Sequence, residues 1–202
     1  MSTALLDDTL MPEHEFQQFL ARHPEIMEDV DKEKIISHKF DLPYGAGYST
    51  TGNRIYIDRH VKLIWPMKRV IQFSSGGLKP KSPGKRSVTI MTHIIKYPVR
   101  HESFESACIR LLGMDYEESH HFAVRAEWSL VIGDDYDWDF YEAQWKPYIK
   151  ADEVEKIDRV PPDLDLTPYE GDDETDKALT THLLDRMGAT RKTARGKFLS
   201  RV

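Results

Sequence analysis

The run Arg100-His101-Glu102-Ser103-Phe104-Glu105 sets one imidazole and two carboxylates side by side, and Tyr116-Glu117-Glu118-Ser119-His120-His121, with Glu127 beyond it, brings more of the same chemistry a short way on. On a helix, His101 and Glu105 project from one face about one turn apart, so both can grip a single ion. Glu102 lies about 100° around that helix, placed to reach water beside an ion without binding the ion itself. His120 and Glu127 are separated by nearly two full turns and share a face. If that face opposes the first helix, the set gains a third ligand and a fourth. A His/His/Glu or His/Glu/Glu set with an open position is a catalytic arrangement, since a structural zinc takes four protein ligands. Zinc held this way lowers the pKa of its water from about 16 towards 7. Glu102 would then remove the proton and pass it to a leaving amine, which makes hydrolysis of a peptide or related amide the natural outcome.

A simpler origin exists for some of these groups, because Glu102 and Glu105 are also the first-turn carboxylates that a helix dipole favours. His120 and Glu127 are harder to explain that way. They sit in an otherwise apolar helix, where an unpaired buried charge costs several kcal/mol. His121 shares a face with Arg125 and reads as the outward neighbour of His120.

The elements that position these residues are well marked. Pro98 suits a first turn and Gly113 the left-handed residue beyond a C-terminus, which predicts a helix over 98–112 with Phe104, Cys108, Ile109, Leu111 and Leu112 for burial. Asp115 with Glu118 makes a capping-box-like start, and the apolar run after it stops at Gly133, predicting a second helix over 116–132. The short connection makes the two antiparallel neighbours. A third helix carries Trp138, Tyr141, Trp145 and Tyr148, an aromatic stripe read as core. Upstream, Gly45 to Asp58 reads as a β-hairpin around Thr51-Gly52-Asn53, with Ile55 and Ile57 alternating toward a core. Val88 to Ile95 is a β-branched strand leading into the first motif helix. Ser74 to Arg86 reads as a flexible basic loop whose glycine spacing matches no phosphate-binding loop.

With 202 residues and 40% hydrophobic content, the chain can bury one sizeable core. The organisation expected is a helical N-terminal arm over 1–40, a metal-binding domain over 41–150, and an acidic linker with a basic tail over 151–202. The arm carries Phe16, Phe19, Leu20, Ile26, Met27 and Val30 at helical spacing and suits packing or docking. The tail, through Arg186, Arg191, Lys192, Arg195, Lys197 and Arg201, is the one place for weak nucleic-acid contact. The net charge of −6 gives no global nucleic-acid footprint. The single cysteine, Cys108, excludes an internal disulfide and a Cys-rich zinc module. No basic-then-apolar leader and no apolar run near the roughly 20 residues that span a bilayer are visible, so a soluble, cytoplasmic protein is expected.

The order of hairpin, strand, His-Glu-x-x-Glu helix and ligand-bearing helix resembles a pared-down zincin metallopeptidase core. More closely, Tyr56-Ile57-Asp58-Arg59, His101-Glu102-x-x-Glu105, Tyr116, His120, Ala123 and Glu127 resemble a group of phage and prophage proteins with that arrangement, over about residues 48–148. The resemblance implies an α+β fold in which a small sheet packs on a helical hairpin and a third helix. It also implies His101, Glu105 and His120 as metal ligands and Glu102 as the base. Glu127 is the further ligand that the helix face allows. Zincins place histidine where Glu105 stands, so the implied ion is zinc or a harder one such as manganese or iron. The expected substrate is a peptide or protein lying near the Tyr48–Asp58 hairpin, where an edge strand can hold an extended chain. Asp58 and Arg59 read as a strand-end ion pair. The alternative is a phage structural or accessory protein, virion-associated, whose site staples two helices without catalysis and whose long polar ends serve for docking.

Overall fold

Phe16 and Phe19, three residues apart on α1 (Glu13–Arg22), and Ile26 and Val30 on α2 (Pro24–Val30) turn their apolar faces inward. The computed structural model describes residues 10–73, 84–171 and 173–199 of the chain. Its fold is α+β. After α2 come β1 (Ile35–Phe40), β2 (Ala46–Tyr48) and β3 (Arg54–Asp58), which form one sheet in the order β1-β3-β2. β2 runs antiparallel to β3, with Gly47 opposite Tyr56, and β1 runs parallel to it. The predicted hairpin is therefore present, and Gly52, at φ +66°, supplies the left-handed residue in its turn. β4 (Ile64–Phe73) and β5 (Gly84–His93) pair as a separate antiparallel ribbon, so the strand expected before the motif helix also exists. Residues 74–83 of the expected basic loop lie outside the described residues, and Gly84 to Arg86 belong to β5.

The two motif helices form much as predicted. α3 (Lys96–Ala107) carries Pro98 in its first turn and continues into one π-helical turn, Cys108–Leu112, before Gly113 at φ +66° ends it. In α4 (Tyr116–Gly133), the Asp115 carboxylate caps the first turn by accepting from the Glu118 N–H at 2.8 Å. α5 (Trp138–Ala143) is shorter than the aromatic stripe suggested, and a 3-10 turn at Lys146–Tyr148 carries its end. The last helix, α6, runs Glu174–Leu199.

Three apolar clusters hold these elements. In the first, Tyr48, Ile55 and Ile57 meet Trp65, Met67, Ile94, Tyr97, Val131 and Tyr141. The second joins Phe16, Phe19, Ile26 and Val30 to Phe104, Ala107, Cys108, Phe122 and Ala123, so the N-terminal arm docks on the α3–α4 hairpin of its own chain. The third corrects the expected linker. Ile157, Val160, Leu164 and Tyr169, with Leu179, Leu183 and Met187 of α6, close over Leu42 and Tyr56 on the other face of the sheet. β3 is consequently buried on both faces, and Tyr56 is as enclosed as Ile55 and Ile57 rather than alternating outward. Of the basic tail, Arg186 pairs with Asp158 at 3.1 Å, and Arg201 lies outside the described residues. Among the described residues, no helix is long and apolar enough to cross a membrane.

Candidate metal centre

The α3 face that carries His101 and Glu105 lies against α4, and this brings His120 to the same point. His101 Nε2 stands 3.3 Å from His120 Nδ1 and 3.5 Å from Glu105 Oε2, and His120 Nδ1 donates to Glu105 Oε2 at 2.9 Å. Donor atoms arranged tetrahedrally about 2.1 Å from one ion stand about 3.4 Å apart. The three separations observed bracket that value. Two imidazoles turned toward one carboxylate oxygen and toward each other also leave little room for a hydrogen on every nitrogen, so the donor set fits a shared cation. These residues could hold a divalent metal ion, as their ligand atoms lie within 4.8 Å of one another.

Glu127 is not a fourth ligand in this arrangement. Its Oε2 accepts from His101 Nδ1 at 3.0 Å, on the side of the ring away from the trio, and its Oε1 accepts from the Tyr141 hydroxyl at 2.5 Å. The carboxylate therefore fixes which nitrogen of His101 carries hydrogen and aims Nε2 at the trio. Seven residues at 1.5 Å each put Glu127 about 10.5 Å along the helix axis from His120, which is why a shared face did not become a shared ion. His121 does not join the trio.

Electrostatics separate the two carboxylates of the motif. Burial raises Glu105, but hydrogen bonds from His101 and His120 outweigh it and hold the carboxyl well below the usual carboxylate range. Burial pushes Glu102 the other way, aided by the Glu105 charge, up to about 8. Burial, with the Glu105 charge, thus gives Glu102 a higher proton affinity than Glu105, the kind of split that acid–base chemistry uses. For His101, burial disfavours the charged form, yet Glu105 and Glu127 reverse this and raise it well above the ordinary imidazole value.

All of these groups open into one cavity of about 1100 Å³, lined also by Ala46, Tyr44, Tyr116, Trp138, Trp145 and Tyr169. Tyr141, Trp138 and Trp145 are core and cavity wall at once, a double role that the aromatic stripe did not reveal. No family model, curated protein or solved structure matches the chain. The function must be read from the site.

A second group, Asp41, Asp58 and His60, also has the spacing of a cation site. Lys150 occupies it. The ammonium donates to Asp58 Oδ2 at 2.6 Å, lies 3.1 Å from His60 Nδ1 and 3.9 Å from Asp41 Oδ1, and so supplies the cation itself. Arg59 completes the cluster by donating to Asp41 at 2.8 Å, so the expected Asp58–Arg59 ion pair is replaced by a network of five residues in which Asp58 pairs with Lys150. The hairpin edge needs a correction too. Tyr48 O accepts from Asp165 N, and Thr50 N donates to Asp163 O, so the chain's own segment already covers that stretch where an extended substrate was expected.

Proposed function

We propose that the chain is a small metal-dependent hydrolase of peptidase-like chemistry, with a zincin-like core and zinc, or manganese or iron, as its ion. The observation that carries this reading is the convergence of His101, Glu105 and His120 at ligand spacing on the floor of a cavity large enough for a substrate. His101 Nε2, His120 Nδ1 and Glu105 would hold the ion. A bound divalent ion supplies a Lewis acid and a water acidified towards neutrality. Glu102, half-buried on the cavity wall one residue from a ligand, takes the proton from the attacking water and delivers it to the leaving amine. Glu127 and Tyr141 keep His101 in register throughout.

The resemblance of the same motif to zincin metallopeptidases makes a peptide or protein the substrate. The alternative, a docking or accessory protein of a virion, drew on the polar ends. Those ends bury Phe16, Phe19, Leu164, Leu179 and Leu183 into the body of the same chain, which leaves less of them for docking. Metal analysis of the purified protein, followed by digestion of a peptide library with the metal-loaded form, tests the proposal. Stoichiometric metal with metal-dependent cleavage is the expected result; a protein that takes up no divalent ion overturns it.

A further inference from the structure

The cavity above the trio is one-sided in charge. Among the described residues, eight carboxylates line it and no lysine or arginine does. Three of the eight belong to the site already described. The others arrive from separate elements: Glu117 from α4, Glu142 from α5, and Asp152, Asp173 and Asp176 from the segment that closes over the sheet. Aromatic faces stand between them. Tyr44 stacks on Tyr169 at 5.7 Å and 11°, and Trp138 and Trp145 form a further wall.

Tyr169 adds an independent observation. It is only 3% exposed and lines the cavity. Glu102 and Glu105 are the charges that act on it most strongly. On β2, the buried Tyr48 hydroxyl has no hydrogen-bond partner among the described residues, and Glu105 and Glu102 are the charges that act on it most strongly.

We propose that this cavity selects basic peptides, seating the ammonium or guanidinium of a lysine or arginine side chain next to the bond presented to the trio. The bond cut rests on the hydrolase reading above; the charge preference does not. Low-dielectric walls of one sign focus their field on the space they enclose, and a cation there gains from the carboxylates away from the trio, Glu117, Asp152, Asp173 and Asp176 among them. Its approach over the Tyr44, Tyr169 and tryptophan faces adds the attraction of the ring quadrupoles. A neutral side chain gains neither, and an acidic one is repelled. A peptide fits better than a free polyamine because of β2. Gly45 O and Ser49 N bond inward to β3, so the alternate residue Ala46 turns its N–H and C=O to the outer edge, where it lines the cavity and can pair with a main chain.

Two measurements test this. The metal-loaded protein should cut library peptides beside lysine or arginine, and lysine acetylation should slow those cuts about tenfold or more. The double variant Asp152→Asn, Asp176→Asn should raise KM for basic peptides about three- to tenfold relative to neutral ones, as expected for two partly exposed charge pairs. Separately, binding of a labelled hexalysine and a hexaglutamate to the full chain, with and without zinc, reads the charge preference without catalysis. Hexalysine should bind, weaken in the double variant and weaken with salt; hexaglutamate should not bind. Cleavage without regard to charge overturns this inference and leaves the hydrolase standing. Hexalysine binding with no cleavage anywhere overturns the hydrolase and leaves the inference. Spermidine binding more tightly than hexalysine overturns the assignment to a peptide.

Discussion

Glu127 and His101 meet across the two motif helices, Oε2 to Nδ1 at 3.0 Å, and the far oxygen of the same carboxylate is held by the Tyr141 hydroxyl. A carboxylate behind a ligating imidazole fixes the ring and raises its basicity, and loss of such a partner typically weakens metal affinity about 10- to 100-fold. Glu127→Gln should therefore bind zinc about 10- to 100-fold more weakly while remaining able to bind it, as read by competition with a chromogenic chelator. Complete loss of binding, equal to that of a ligand variant, would return Glu127 to the ligand set.

Each helix supplies an indispensable part of the trio, because His101 and Glu105 come from α3 and His120 from α4. His101→Ala and His120→Ala should each lose stoichiometric metal, and a chelator should lower the melting temperature of the wild type alone. An ion at 100 times its Kd stabilises the native state by about 2.7 kcal/mol, enough to see in a melting curve. Full metal retention by both variants, or an unchanged curve after verified removal, would contradict the trio.

The trio was legible because its spacing is local. His101 and Glu105 are one turn apart, and Pro98, Gly113 and Asp115 mark where the helices start and stop. The α+β class followed from the same punctuation. Glu127 was placed on the correct face and given the wrong depth, since periodicity reports direction around a helix and says nothing of which atoms meet. Tyr141 carried no signal at all: its partner is on another helix, across a turn. The segment 151–169 was misread for a different reason. Ile157, Val160 and Leu164 stand at helical spacing, but Pro161 and Pro162 interrupt any helix between them, so their burial against Tyr56 is hidden within an acidic, proline-containing composition. The acidic wall of the cavity was hidden with it.

Asp58 is fully buried against Lys150 and predicts an acid limit on stability. Burial raises its carboxyl, but the Lys150 ammonium and the backbone N–H groups of Leu42 and His60 outweigh it, and the pKa lies below the ordinary carboxylate value. A depressed carboxyl contributes stability that is present above its unfolded pKa, about 3.9, and is lost as pH falls through the folded one. Asp58→Asn leaves a buried ammonium short of its charge partner and should cost about 3–5 kcal/mol at neutral pH. Denaturant melts of wild type and variant between neutral pH and strong acid should converge as the wild type loses this contribution. A constant gap across that range would show that Asp58 carries no such role.

Glu102 is the residue at which binding and chemistry should come apart. It is one position from a ligand, lines the cavity, and stands outside the trio, so its proposed task is proton transfer rather than coordination. Glu102→Gln keeps nearly the same volume and can still hydrogen-bond water, but it cannot accept a proton, and loss of a general base typically costs about 100-fold to 10,000-fold in rate. The variant should hold zinc as tightly as wild type, or more loosely only by the effect of one lost nearby charge, while kcat on a cleaved peptide collapses. Zinc content by mass spectrometry and single-turnover cleavage on the same sample separate the two properties. If Glu102→Gln retains its metal and cleaves at the wild-type rate, the base lies elsewhere on the cavity wall.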